Sequence, residues 1–353
     1  MTRRIIPKAS ASIFSYQSWA DTLARNPTLL DRLNEMVDFE SFRSLLDAGL
    51  PQADYSKGGR PGYDSVLMFR ILILQRIHGQ LSDEQTEFQI KDRFSFQRFL
   101  TLTVADSMPD ANTIRNYREY WSKSGTIDGC FALYAEQLEA CGLLVDPGKI
   151  VDATFVDVPK QRNNEDENAH IKEHGTAPDD WSEQPAKVAQ KDVDARWAKK
   201  GDEVHFGYKC HTLVASLSKL IAGFTVTSAN VHDSQVFTEL LDPERDEWVH
   251  ADSAYQSERI ESELAEMGIM GFISAKGRRN APLTAKEQAS NTLLSRIRSR
   301  VEHVFGDMTN GMKAMHIRCI GIVRAAGIIG LNNIAYNMRR AEQIQRLELM
   351  PVE

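Results

Sequence analysis

The hydrophobic pattern changes period once along the chain. Up to about residue 145, apolar positions recur at helical spacing or in runs too long for a strand. Asp64 precedes a nearly continuous apolar run from Val66 to Ile77 that ends at Gly79, which predicts a buried helix. Ser82-x-x-Gln85 has the spacing of a capping box and starts another. Asp110 is placed to cap a third, Ala111 to Lys123, which carries Arg115 and Arg118 among Tyr117, Tyr120 and Trp121. A further helix, Ile127 to Cys141, stops at Gly142 before Pro147. The pattern therefore predicts an all-helical segment over 1–145 and a boundary to a second domain over 146–345.

Beyond that boundary the period falls to two. Ile150 to Val158 alternates, with Ile150, Asp152, Thr154 and Val156 on one face and Val151, Ala153 and Phe155 on the other. Strands follow at Val204 to Ser216 and Leu220 to Thr227, then a short helix from Ser234 to Leu241 capped by Asp233. Next come a strand at Trp248 to His250, a helix from Ser257 to Met267 and a strand over 271–276. A long helix closes the pattern, its apolar stripe running through Leu294, Ile297, Val301, Val304, Phe305 and Met308. Three strands followed by alternating helices and strands make an α/β domain of ribonuclease H-like order, a mixed sheet flanked by helices.

Three acids interrupt this pattern in informative places. Asp152 lies in mid-strand, where β-propensity is poor and burying a lone carboxylate costs several kcal/mol unless a cation is near. Asp252 closes the fourth strand, at the carboxyl end where α/β sheets place reactive groups. Glu302 sits beside the apolar stripe of the long helix. Three carboxylates on two strands and a helix form a candidate binding set for two Mg²⁺ or Mn²⁺ ions, the kind used for in-line displacement at phosphorus. Lys209 and His211 share one strand face and could line such a site or merely its edge. His303 adjoins Glu302. His232, in the run Asn230 to Ser234, reads more readily as loop packing than as a catalytic group.

Charge changes the picture only through its distribution. The chain has 353 residues and a formal net charge of −7, which by itself does not suggest an anionic partner. Many acids fall between Glu165 and Glu203, a stretch of weak periodicity that predicts a solvated insertion at about 159–203. From Lys276 to Arg340 the balance reverses: Arg296, Arg298, Arg300 and Lys313 belong to a segment with twelve cations and three acids. A basic surface beside an acidic site suits a phosphodiester. Cys130, Cys141, Cys210 and Cys319 form no CxxC pair, so neither a zinc site nor a disulfide framework is expected. No run of 18 apolar residues occurs, so a cytoplasmic chain without membrane association is expected.

Seven stretches carry a family resemblance: GRPGYDSVLMFRILILQ from Gly59, SMPDANTIRNYREYW from Ser107, VDATFVDV, HFGYKCHTLV, TSANVHDS, HADSAY and RSRVEHVFG. Their collinear order resembles the bacterial insertion-sequence transposases of the IS5 group, within the wider IS4-like DDE transposases. The resemblance implies a DNA transposase whose triad is Asp152, Asp252 and Glu302, with two divalent ions as cofactors. Its partners would be double-stranded DNA, as terminal inverted repeats and target, and further copies of the chain in a synaptic dimer or larger assembly at the bacterial nucleoid. Ser295 and Thr309 stand where the family motif has Tyr and Lys, whereas Arg298 and Glu302 match it. Lys313, one turn beyond Thr309, could replace the lysine. Arg298 is expected to hold a phosphate or orient Glu302, with Arg296 and Arg300 as further phosphate contacts. Arg115 and Arg118 are expected on a DNA-reading helix, against the plainer reading of a packing or dimerisation bundle. A nuclease of the same fold without strand transfer, or a catalytically silent DNA-binding derivative, are the alternatives; retention of all three acids ranks the second lowest.

Overall fold

The computed structural model describes residues 25–52, 61–103, 106–277 and 282–349. Gly59 and Arg60 of the GRPGYD motif, and Arg278 and Arg279 of the basic stretch, lie outside the described residues. The first described segment is helical, as the pattern predicts: α1 (Leu29–Met36), α2 (Arg43–Ala48), α3 (Ser65–Ile77), α4 (Asp83–Asp92), α5 (Phe94–Phe99), α6 (Ala111–Lys123) and α7 (Thr126–Ala140). Three of these helix starts are capped, at Ser82 by one half of the expected capping box. Asp64 accepts from the Leu67 N–H at 2.9 Å, Ser82 from Gln85 at 3.1 Å and Asp110 from Thr113 at 2.7 Å. Each satisfies a backbone donor that the first helical turn leaves open.

The second segment builds a six-stranded mixed sheet in the order β2-β3-β1-β5-β6, with β4 also paired to β3. Its strands are β1 (Gly148–Asp157), β2 (Arg196–Lys200), β3 (Glu203–Ala215), β4 (Ile221–Ser228), β5 (Trp248–Ala251) and β6 (Met270–Ile273). β1 is antiparallel to β3 and parallel to β5. Helices α9 (Glu258–Met267), α10 (Ala285–Gly306) and α11 (Ile322–Arg346) complete this part, and α8 (Glu165–His174) belongs to the connection between β1 and β2. This is the ribonuclease H-like arrangement, with one strand more than the sequence pattern revealed. In the HFGYKCHTLV motif, Gly207 has φ +152°, and a Cβ there would lie 2.3 Å from the Val156 carbonyl oxygen. Only glycine lets β3 pass this close to β1.

Three expectations are corrected. The stretch 159–203 is a charged insertion between β1 and β3, but an ordered one, which its weak periodicity did not suggest: it folds as α8, buries Trp181 and adds β2 to the edge of β3. Most of its acids are exposed, as expected, but two near its end have structural partners. Asp192 accepts from the Tyr208 hydroxyl at 2.6 Å and the Gly321 N–H at 3.0 Å, and Asp194 accepts from the Ile322 N–H at 2.9 Å. Two carboxylates thus complement the positive N-terminal end of α11. The helix expected from Ser234 to Leu241 is instead two short 3₁₀ turns, Asp233–Gln235 and Thr238–Leu240. The first is capped by His232, whose Nδ1 accepts from the Ser234 N–H at 3.3 Å, and not by Asp233. Finally, α10 ends at Gly306 and passes into a π-type turn over Asp307–Gly311. Lys313 then adopts φ +54°, so it does not sit one turn beyond Thr309 on the helix of Glu302.

Helix α11 ties the two segments together. One apolar cluster runs from Leu30, Phe69 and Trp121 through Ile150 and Val214 to Val304, Leu331 and Met338, so the core is continuous across residue 145. The helices approach closely because two glycines face the α6–α7 corner. A Cβ on Gly327 would lie 2.1 Å from Ser122 Oγ, and one on Gly330 would lie 2.8 Å from Ile127 Cγ2. Glycine costs a helix about 1 kcal/mol relative to alanine, and the close contact offsets that cost. Gly327→Val is therefore expected to lower stability by about 1–3 kcal/mol through overpacking, although it replaces a poor helix former. A urea unfolding midpoint unchanged from wild type would contradict this.

Candidate active site

Alternation along β1 places Asp152 on the face that packs against the long helices, with Ile150 in the shared core beneath it. The carboxylate is 18% exposed and accepts the Ala153 N–H at 2.8 Å. Burial raises its pKa to about 6, against the opposing pull of that N–H and of Arg298; the nearby Asp252 charge raises it further. Asp252 arrives from the neighbouring parallel strand. Ile150 pairs with His250, so each acid stands two residues beyond a registered pair. Asp252 caps the turn Ser253–Tyr255, accepting from the Ala254 N–H at 2.8 Å.

Glu302 comes from α10, which packs over β1 and β5. Its side chain is 63% exposed, more open than its place beside the apolar stripe suggested. Arg298, one turn earlier, lies between the acids: Nη1 is 3.5 Å from Asp152 Oδ2 and Nη2 is 4.0 Å from Glu302 Oε1. A guanidinium thus supplies the positive charge that a desolvated carboxylate requires. Among the described residues, no three His, Cys, Asp or Glu side chains are close enough to enclose an ion. The donor chemistry nonetheless fits Mg²⁺ or Mn²⁺: the carboxylate oxygens are hard ligands, Asp152 is charge-deficient, and a cation already occupies the gap.

The opposite sheet face carries a second polar group. His211 pairs with Ala153 and Lys209 with Phe155, so both side chains project away from the Asp152 face. This corrects the expectation that they line the triad. Lys209 Nζ donates to Asp233 Oδ1 at 2.7 Å and to the Val231 carbonyl at 2.8 Å, over the Phe155 ring. His211 is buried; its Nε2 meets Thr227 Oγ1 at 2.9 Å, and burial lowers its pKa to about 4, so it is neutral at pH 7. Sequence reasoning gave Asp233 a capping role and left Tyr255 unremarked. The Tyr255 hydroxyl is buried without a hydrogen-bond partner among the described residues, and burial, Asp233, Asp152 and Asp252 all raise its pKa. The signal available for Asp233 was its pairing potential with the Lys209 strand face.

The remaining predicted contacts scatter. Arg296 is exposed on α10. Arg300 donates to the Ser216 carbonyl at 2.7 Å, and His303 accepts from Lys219 Nζ at 2.9 Å, both away from Asp152. Lys313 is exposed on a cavity wall shared with Arg76, Ser82 and Arg318. His232 is an exposed cap. Arg115 bonds Asn112 within α6 at 2.8 Å. Arg118 is taken up by Asp83, with Nη2 to Oδ2 at 2.6 Å and Nη1 to Oδ1 at 2.7 Å, both side chains mostly buried. Its fork is spent on packing α6 against α4, which corrects its reading as a free base-reading group.

Residues 144–338 match the family described as "Transposase DDE domain", and residues 18–120 match "Transposase domain (DUF772)". The chain belongs to the DDE transposases. It is a DNA-cleaving and strand-transferring enzyme. A solved structure described as the cryo-EM structure of a piggyBac transposase synaptic complex with hairpin DNA is similar at 11% identity and TM-score 0.43, over 89% of this chain and 73% of that one. Members of this family use divalent metal ions, which agrees with the oxygen-only donor set of the transposase. No helix among its described residues is long and apolar enough to cross a membrane.

The raised Asp152 pKa gives a pH dependence with a definite sign. In the fold the carboxyl keeps its proton up to about pH 6, against 3.8 as its reference value. The folded state therefore holds the extra proton between these values, and stability falls as pH rises through that window. Asp152→Asn is expected to stabilise the metal-free protein at pH 7 by roughly 2–3 kcal/mol and to have little effect near pH 4. Thermal melts across pH would check it; equal effects at both ends would show that Asp152 ionises normally.

Proposed function

We propose that this DDE transposase is an insertion-sequence transposase of the IS5 group that cuts DNA at terminal inverted repeats and joins the freed ends to a target. One observation carries the assignment of the triad: the desolvated carboxylate of Asp152 in mid-strand, with Asp252 delivered by the adjacent parallel strand and Glu302 reached through Arg298. Asp152, Asp252 and Glu302 would hold the Mg²⁺ or Mn²⁺ ions. When bound, two such ions activate the attacking oxygen and steady the leaving oxygen of an in-line displacement.

The chain's own residues do the rest. Arg298, poised between two acids, would offer its planar fork to two oxygens of the scissile phosphate. With water as nucleophile the P–O3′ bond at the transposon end breaks and leaves a 3′-hydroxyl. That hydroxyl then attacks a target phosphodiester, forming one P–O bond as another breaks. Two or more copies of the chain would bring paired ends together. Arg296 supplies a phosphate contact from the exposed side of α10.

Asp152→Asn, Asp252→Asn and Glu302→Gln are each expected to abolish cleavage and joining while leaving duplex binding within about twofold, because they remove metal ligands and not phosphate contacts. Parallel strand-cleavage and gel-shift assays with inverted-repeat duplexes would test this. Substantial residual cleavage in Mg²⁺ for one variant removes that residue from the triad. Cleavage without joined products in wild type would instead favour a nuclease. Arg118→Ala is expected to lower the unfolding midpoint by stranding Asp83, with preference for repeat over random duplex retained; loss of that preference in a variant that melts normally would restore Arg118 as a reader.

A further inference from the structure

Beyond Glu302 on α10, a cavity of about 480 Å³ opens between α1, the β3–β4 turn and the outer face of α11. Its walls carry five formal cations, Arg32, Lys219, Arg339, Arg340 and Arg346, against Asp307 and Glu342. Three of these cations have acidic partners. Glu342 holds Arg32 at 2.5 Å and Arg346 at 2.8 Å, and Asp307 holds Arg339 at 3.2 Å. Even so, Arg339 Nη1 is buried without a hydrogen-bond partner among the described residues.

The other two have no carboxylate partner there. Among the described residues Lys219 Nζ donates to Nδ1 of His303, at 2.9 Å, and Arg340 donates to the Ser218 carbonyl and to Gln343 Oε1, at 2.8 and 2.6 Å. Burial and the neighbouring charges of Arg340 and Arg300 hold the Lys219 ammonium below its ordinary pKa, so the cations are crowded at a cost. The arrangement is fixed and not a loose surface. Lys219 sits at φ +61°, and its carbonyl accepts the Tyr336 hydroxyl at 2.9 Å. A rigid turn that forces a lysine beside arginines calls for an anion between them.

We infer that this cavity binds the phosphodiester backbone of the DNA substrate, with Lys219 and Arg340 as its contacts. The inference rests on the transposase reading, because it takes the occupant to be the strand leading away from Glu302. The ligand chemistry is a phosphate, and its two possible sources are DNA and a free phosphate ion.

The test is duplex binding by fluorescence anisotropy without divalent metal, over a salt series, with the full chain. Lys219→Asn suits the left-handed backbone, and Arg340→Gln provides a second variant with its melting point as a folding control. Each is expected to weaken binding about fivefold at 0.15 M salt and to lower the slope of log K against log salt by about 0.9 for each phosphate no longer neutralised. Arg259→Ala, on α9, is expected to leave both unchanged. If Lys219→Asn and folded Arg340→Gln bind duplex with wild-type affinity and slope, the inference falls while the transposase reading stands. If, in addition, inorganic phosphate raises the melting point of wild type but not of Lys219→Asn, the site belongs to a free ion, which also overturns the assignment to DNA. If wild type binds no duplex at all, both readings fall together.

Discussion

Burying a carboxylate in the middle of a strand sets a demand that the rest of the catalytic segment is arranged to meet. Asp152 cannot leave β1 without breaking the register that pairs it with Thr212, and behind α10 its side chain is mostly withdrawn from water. Either a proton or a cation must neutralise it. In this structure Arg298 answers part of the demand, at 3.5 Å, and the raised pKa shows that the answer is incomplete. The shortfall in positive charge makes the position receptive to a metal ion. The same argument explains why α10 must dock where it does: it delivers Arg298 and Glu302 from successive turns of one helix face, and its buried residues Val301 and Val304 hold that face in place.

Much of this was legible in the chain. Period-two alternation fixed which side chains share a face with Asp152, and the caps at Asp64, Ser82 and Asp110 set three helix starts because each is a local backbone interaction. What escaped was decided by contacts distant in sequence. β2 has no alternation strong enough to announce itself and exists because β3 is long enough to offer a free edge. Acids at 192 and 194 resembled solvated charge until α11 supplied N–H groups 128 residues away. Lys209 and His211 were correctly placed on one face, but which face was unreadable from their strand alone; it follows from their registry with Phe155 and Ala153. Arg118 looked free because its partner, Asp83, lies on another helix.

The continuous core bears on how DNA contact and chemistry are coupled. α11 packs against α3, α6, α7 and β4 at once, so the helical segment cannot shift relative to the sheet without opening the packing at Gly327 and Gly330. A strand held between α1 and α11 is therefore held at a fixed distance from Glu302. Positioning of this kind lowers a barrier by orienting the reacting phosphate before the displacement begins.

Net charge is a poor guide to such a protein because its charges are sorted by task. Acids of the 159–203 stretch close the N-terminal end of α11, and Asp83 neutralises Arg118 inside the helical segment. Both are structural pairs, and each removes a cation or an acid from the surface available to a ligand. At the Lys219 turn the sorting leaves cations over, since Glu342 serves two arginines and no acid serves Lys219 or Arg340 among the described residues. Arg118, easily counted from the sequence, is thus one that the fold consumes. Away from Arg298 and the triad, the cations left to meet a phosphate at the Lys219 turn are marked by absent acidic partners among the described residues, a property of the folded chain and not of its composition.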